Sequence, residues 1–96
     1  MPAPYYTGDE VPLEFNVFYK EVAEPVTSAK VTIRNGHNTM FEEDDAIVDG
    51  NTVSYVVPGS VTSRGGEYAA WFVCTFPYGE RTHEMIFNIL PNPRLI

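Results

Sequence analysis

The chain has one cysteine, Cys74, in 96 residues. No intrachain disulfide can form, and a thiolate metal cage is excluded. It has two histidines, His37 and His83. Zinc asks for three or four ligands, so two imidazoles do not make a site. Cations are scarce as well. Six Lys or Arg stand against thirteen Asp or Glu, a formal net charge of −7. Nucleic-acid binding needs a basic face, and this composition does not supply one. No apolar run reaches the ~20 residues of a membrane-spanning helix, so no membrane partner is expected. The opening Met1-Pro2-Ala3-Pro4 has no basic segment followed by an apolar one, and no secretory leader is expected. Helical periodicity, internal repeats and low-complexity tracts are all missing.

What is present reads as strands. A hydrophobic fraction of 44% against 20% charged residues belongs to a folded chain rather than a disordered one. The length fits one domain with a single core. The longest apolar run, Gly65 to Phe76, opens on a two-glycine break, is rich in aromatic and β-branched residues from about Glu67, and is closed by Pro77-Tyr78-Gly79-Glu80. That is the composition of a central strand bounded by turn residues. Tyr68, Ala70, Phe72, Cys74 and Phe76 share one face; Ala69, Trp71 and Val73 share the other. Cys74 is expected to be packed.

The remaining elements follow from alternation and breakers. Val11 to Lys20 alternates with a period of two and reads as one long strand, with Pro12 marking an edge or a strand start and Phe18 breaking the polar face. Glu21 to Ser28 reads as a polar connection. Ala29 to Arg34 is a second strand, turned by Asn35-Gly36. Short strands are expected at Thr39–Glu42 and Ala46–Val48, with the acidic run Glu42-Glu43-Asp44-Asp45 as a solvated loop between them. Asp49-Gly50 is a second turn, and Asn51 to Val57 pairs across it. Arg81 to Leu90 is the last strand. About seven short strands with turn signals every eight to twelve residues predict an antiparallel sandwich or barrel. Residues 1–8 read as an N-terminal arm and 91–96 as a C-terminal tail, because prolines interrupt both.

Candidate chemistry is thin. The acidic run supplies carboxylate oxygens but lacks the alternating spacing of a calcium loop. Whether it meets a cation or a basic partner stays open, and its charges would also discourage edge pairing. Ser54, Ser60 and Ser63 are the serines that a histidine could activate, but no nucleophile elbow surrounds them. No catalytic, metal or cofactor site is expected. The apolar residues on both parities are more informative, because a two-layer sandwich buries one face of each sheet. Candidate contact residues are Tyr5, Tyr6, Phe18, Trp71, Ile86, Leu95 and Ile96. They make a docking or oligomer surface, or else the arms (Tyr5, Tyr6, Leu95, Ile96) cover the second face.

Gly66-Glu67-Tyr68-Ala69-Ala70 resembles the approach to strand F of immunoglobulin-like domains. There a tyrosine two residues before the second core position bonds back to the corner between strands. Tyr68 would be that tyrosine, and Ala70 would stand where antibody domains carry cysteine. The order of Gly8-Asp9-Glu10-Val11, Val26 to Ile33, Asp49 to Val57, the Gly-Glu-Tyr strand and Phe87-Asn88-Ile89 resembles the Ig-like module of tailed-bacteriophage structural proteins, notably the N-terminal domain of baseplate upper proteins. The resemblance spans roughly Gly8 to Leu90. It implies an all-β, Ig-like antiparallel sandwich over residues 9–90, and a non-enzymatic component of tail, baseplate, connector or capsid. Such a protein would be made in the host cytoplasm, reside in the virion, and contact other virion proteins and copies of itself. The alternative expectation is a carbohydrate- or host-surface-binding domain using Tyr5, Tyr6, Trp71 or Tyr78 as an aromatic platform. An enzyme fragment or inhibitor is a third.

Overall fold

The computed structural model describes residues 5–36 and 38–93, with backbone alone for 38–42. Their strands are β1 (Tyr5–Tyr6), β2 (Val11–Asn16), β3 (Phe18–Tyr19), β4 (Val22–Ala23), β5 (Ser28–Asn35), β6 (Asn38–Asp45), β7 (Ile47–Asp49), β8 (Thr52–Val57), β9 (Gly66–Phe76) and β10 (Gly79–Leu90). That is ten rather than about seven. The three additions, β1, β3 and β4, are two residues long each, too short to leave an alternation pattern. No α-helix occurs among the described residues.

The strands form a five-stranded sheet in the order β1-β10-β9-β5-β6, a three-stranded sheet β2-β8-β7, and the small hairpin β3-β4. The first two sheets pack face to face. Alternation decides which side chains meet. From the larger sheet come Ala29, Val31 and Ile33, then Tyr68, Ala70, Phe72, Cys74 and Phe76, then Phe87 and Ile89. From the smaller come Val11, Leu13, Val53, Tyr55 and Val57. The order places β2-β8-β7 where Ig domains carry strands B-E-D and β10-β9-β5-β6 where they carry G-F-C-C′. No strand among the described residues stands beside β2 in the A position.

Several expected boundaries move. The strand expected from Val11 to Lys20 ends at Asn16. Beyond it the chain leaves the sandwich as the β3-β4 hairpin, which replaces part of the expected polar connection. Its two-residue turn, Lys20-Glu21, has φ of 50° and 67°. Both residues sit in the left-handed region that Asn-Gly turns normally fill, so composition did not mark it. The acidic run is not a loop. Glu43 to Asp45 continue β6, the edge strand, as its backbone does from Asn38. Register shifts against β5, with Glu43 at φ 51°, bulge the strand there. Gly36, at φ 62°, turns β5 into β6, and Asn35 pairs within the ladder instead of sitting in the turn.

The two seams between the sheets are closed differently. On the β6–β7 side the Tyr55 hydroxyl donates to Asp44 Oδ2 at 2.6 Å, tying sheet to sheet, and Ala46 N–H donates to Ala29 O at 3.0 Å. On the β10–β2 side only one end is tied. There Tyr5 and Tyr6 pair parallel with Ile89 and Leu90, so part of the arm is ladder. Fully buried Thr62 donates from Oγ1 to Asp9 O at 2.6 Å, and Gly8 N–H donates to Thr62 O at 3.0 Å. The rest of that seam is open.

Candidate docking surface

Tyr5 and Tyr6 are half-buried, and Tyr5 packs against the core. Tyr5 therefore covers its own body, while Tyr6 pairs beside Leu90. Leu95 and Ile96 lie outside the described residues, as does His37. Trp71 is half-buried on the outer face of the larger sheet. Its indole N–H donates to Glu84 Oε2 at 2.5 Å, and the Arg34 guanidinium sits 5.1 Å from the ring centroid. Ile86 is 56% exposed on the same face, beside Ala69. These two candidates share one surface. Phe18 belongs to another.

That other surface is built by two turns. The β3-β4 hairpin presents Phe18, Tyr19 and Val22, and the β9-β10 turn presents Tyr78; all four are more than half exposed, at 54–67%. Glu24, just after β4, joins the two turns. Arg81 Nη2 donates to Glu24 Oε1 at 2.7 Å and to the Tyr78 hydroxyl at 3.1 Å, while Tyr78 itself donates to Glu24. The Arg81 guanidinium lies 4.5 Å from the Phe76 ring centroid, and Tyr78 stacks on Phe76 at 5.4 Å. The Tyr78 phenol is pushed above its ordinary range, first by its bond to the Glu24 carboxylate. A planar cation bonded to a carboxylate and a phenol, and lying over Phe76, fixes the Tyr78 ring without hiding it.

Beside this cluster the open seam forms a groove lined by Phe15, Phe18, Cys74, Phe76, Arg81 and His83. Its inner wall is β10, whose Arg81 and His83 point toward the smaller sheet but remain exposed, with Phe15 of β2 reaching across to His83. His83 stacks on Phe15 at 4.0 Å, and Phe15 meets Phe72 edge-on at 5.0 Å. Burial pushes the Cys74 thiol up despite Arg81 nearby, which keeps it a protonated packing group.

Tyr19, Val22 and Tyr78 were missed as partners of Phe18 in the sequence because the hairpin carrying two of them had no turn signal. The four aromatics of a carbohydrate platform are not brought together. Tyr5 and Tyr6 lie at the Leu90 end of β10 and Tyr78 at its Gly79 end, about 35 Å apart at ~3.3 Å per residue. Trp71 lies between, under Arg34. Ser54 is on β8 across from Ile47, on the outer face of the smaller sheet, whereas His83 faces the groove. Among the described residues no three His, Cys, Asp or Glu side chains converge as metal ligands. No protein-family model matches the chain, and no curated protein matches it by sequence.

Proposed function

We propose that this chain is a non-enzymatic docking module of a tailed-bacteriophage particle, placed in tail, baseplate, connector or capsid and held there by contacts with other virion proteins. The observation that carries the docking part is the cluster of Phe18, Tyr19, Val22 and Tyr78. The core closes without them, yet they gather at one end, each more than half exposed, with Tyr78 held by the Glu24–Arg81 pair. Exposed apolar side chains gathered on two neighbouring turns, Phe18 on the groove side of the hairpin and Tyr19 beside Tyr78, mark a protein contact on a small domain. The particle part draws on the resemblance of the strand-and-turn order to phage Ig-like modules, with which the sandwich agrees.

The test is sedimentation of tagged chain with purified phage particles. Wild-type chain is expected in the particle fraction at a fixed copy number. A Phe18→Ser, Tyr19→Ser, Tyr78→Ser variant with an unchanged circular-dichroism spectrum is expected to remain behind. Wild-type chain recovered only free of particles would overturn the particle reading. Equal recovery of the folded variant would overturn the role of the cluster. The dispersed aromatics give a carbohydrate platform no comparable support.

A further inference from the structure

The open seam has the geometry of an acceptor for a strand. We infer that the Gly79–Glu84 half of β10 and its groove bind an extended segment of a partner protein, with apolar side chains alternating with Lys or Arg. The inference rests on the docking reading above and names the partner's chemistry.

Three observations lead there. First, main-chain groups are available. Leu90 O accepts from Thr7 N–H at 3.0 Å, so this carbonyl points away from β9 toward the arm. Main-chain direction alternates along a strand, and the β9-β10 register runs without a shift from Gly79 to Ile89. Glu80, Thr82 and Glu84 therefore direct their N–H and C=O to the same free side as Leu90. Among the described residues only Tyr5 and Tyr6 pair on that side, at Ile89 and Leu90. That short parallel ladder shows that the edge accepts a strand, and the acceptor stretch continues it.

Second, an added strand would lay every other side chain over the groove, against Phe15, Phe18 and Phe76. It would lie over Arg81 and over the side of His83 turned away from Phe15, both of which stay exposed. Apolar residues at those positions fit.

Third, its other side chains would stand on the outer face beside Glu80, Thr82 and Glu84. Directly opposite cross-strand charges stabilise when unlike and destabilise when like. This row of β10 carries two carboxylates and no cation, on a chain of net charge −7. Lys or Arg is the complement. A second copy fits poorly, because its β10 would bring no cation to Glu80 or Glu84.

The experiment uses the full chain and a fluorescent decapeptide of alternating valine and lysine, read by anisotropy. Controls are a scrambled peptide and one with glutamate for lysine. The alternating basic peptide is expected to bind at least tenfold tighter than either. Thr82→Pro removes one outward N–H without breaking the β9 ladder, and is expected to weaken binding tenfold or more. Glu80→Lys should weaken it several-fold, and Val56→Ser, on the other sheet, should not change it. Equal binding of the three peptides, binding untouched by folded Thr82→Pro and Glu80→Lys, or chain self-association that Thr82→Pro abolishes would each overturn the inference. If Thr82→Pro chain still sediments with particles while the peptide fails to bind, the strand site falls and the docking module stands.

Discussion

Tyr68→Phe removes a single oxygen from the centre of the fold. Tyr68 is fully buried at the start of β9, and its ring stacks on Phe87 with centroids 5.3 Å apart. Phenylalanine keeps that stack. The hydroxyl donates to Arg64 O at 2.6 Å and lies 3.2 Å from Val61 O. Both carbonyls belong to the connection between β8 and β9, so one side chain fastens this crossing to the core. A hydroxyl has one proton, so the shorter bond carries most of the interaction. Its net loss costs about 1 kcal/mol, rising toward ~3 if a carbonyl stays dry. Arg64 is exposed and its carbonyl can turn to water, which favours the low end. For a domain this size 1 kcal/mol lowers Tm by roughly 4–8 °C. Thermal and urea unfolding of the variant should show that loss. Hydrogen exchange should rise first over residues 58–65, because the tie is local. Unchanged midpoints with unchanged exchange there would refute the corner. A loss above ~4 kcal/mol would show that the ring had moved too.

Other outcomes follow from single observations. A Cβ at Gly59 would lie 2.3 Å from the Gly8 carbonyl oxygen, where the β8-β9 connection crosses the turn after β1. Gly59→Ala should therefore cost about 1–3 kcal/mol by urea denaturation, and an unchanged midpoint would show that the two turns are not in contact. Replacing Lys20-Glu21 by Asn-Gly, residues suited to left-handed φ, should raise stability by roughly 1 kcal/mol; a fall would mean another turn type. Burial raises the Tyr55 and Tyr68 phenols, and Asp44 raises Tyr55 further. Their contribution is complete below the unfolded value near pH 10 and is lost as pH rises through the folded values. Alkaline titration at 295 nm should show late ionisation of Tyr55, Tyr68 and Tyr78 among the six tyrosines, with unfolding as the two buried ones ionise. All six ionising together near pH 10 in folded chain would contradict it.

Much of the sandwich was legible because its two layers leave a period-two record. The inward set of β9, from Tyr68 to Phe76, is buried throughout, and so are Ala29, Val31 and Ile33. Asp49-Gly50 turned the chain where Gly50 takes φ 61°. The acidic stretch misled because charge was read as a loop signal. An edge strand has one free side, and Glu43 to Asp45 occupy such a strand, with Lys30 paired to Asp45 across it. The β3-β4 hairpin was invisible for a different reason. Its turn residues have no preference for their conformation, so tertiary contacts made through Glu24 hold them there.

The candidate site was the least legible part because it depends on what is missing from a neighbourhood. Phe15 and Phe76 have the composition of core residues, and by alternation they are. What makes a groove beside them is that β2 ends at Asn16 and the chain turns away, while β10 runs on past His83 to Gly79, beyond the last residue of β2. The alternation of a strand can be read from sequence, but the end of β2 at Asn16 was not, and the mismatch between two sheets needs their pairing. The mismatch also separates this seam from the one at β6 and β7. Both have an edge strand with free main-chain groups. At β6 a bulge and consecutive carboxylates interrupt the edge, which is how exposed strands avoid unwanted partners. At β10 the ladder register is regular, the groove carries Phe15 and Phe18, and the carboxylates Glu80 and Glu84 alternate with other residues, so the edge admits a partner with the matching pattern.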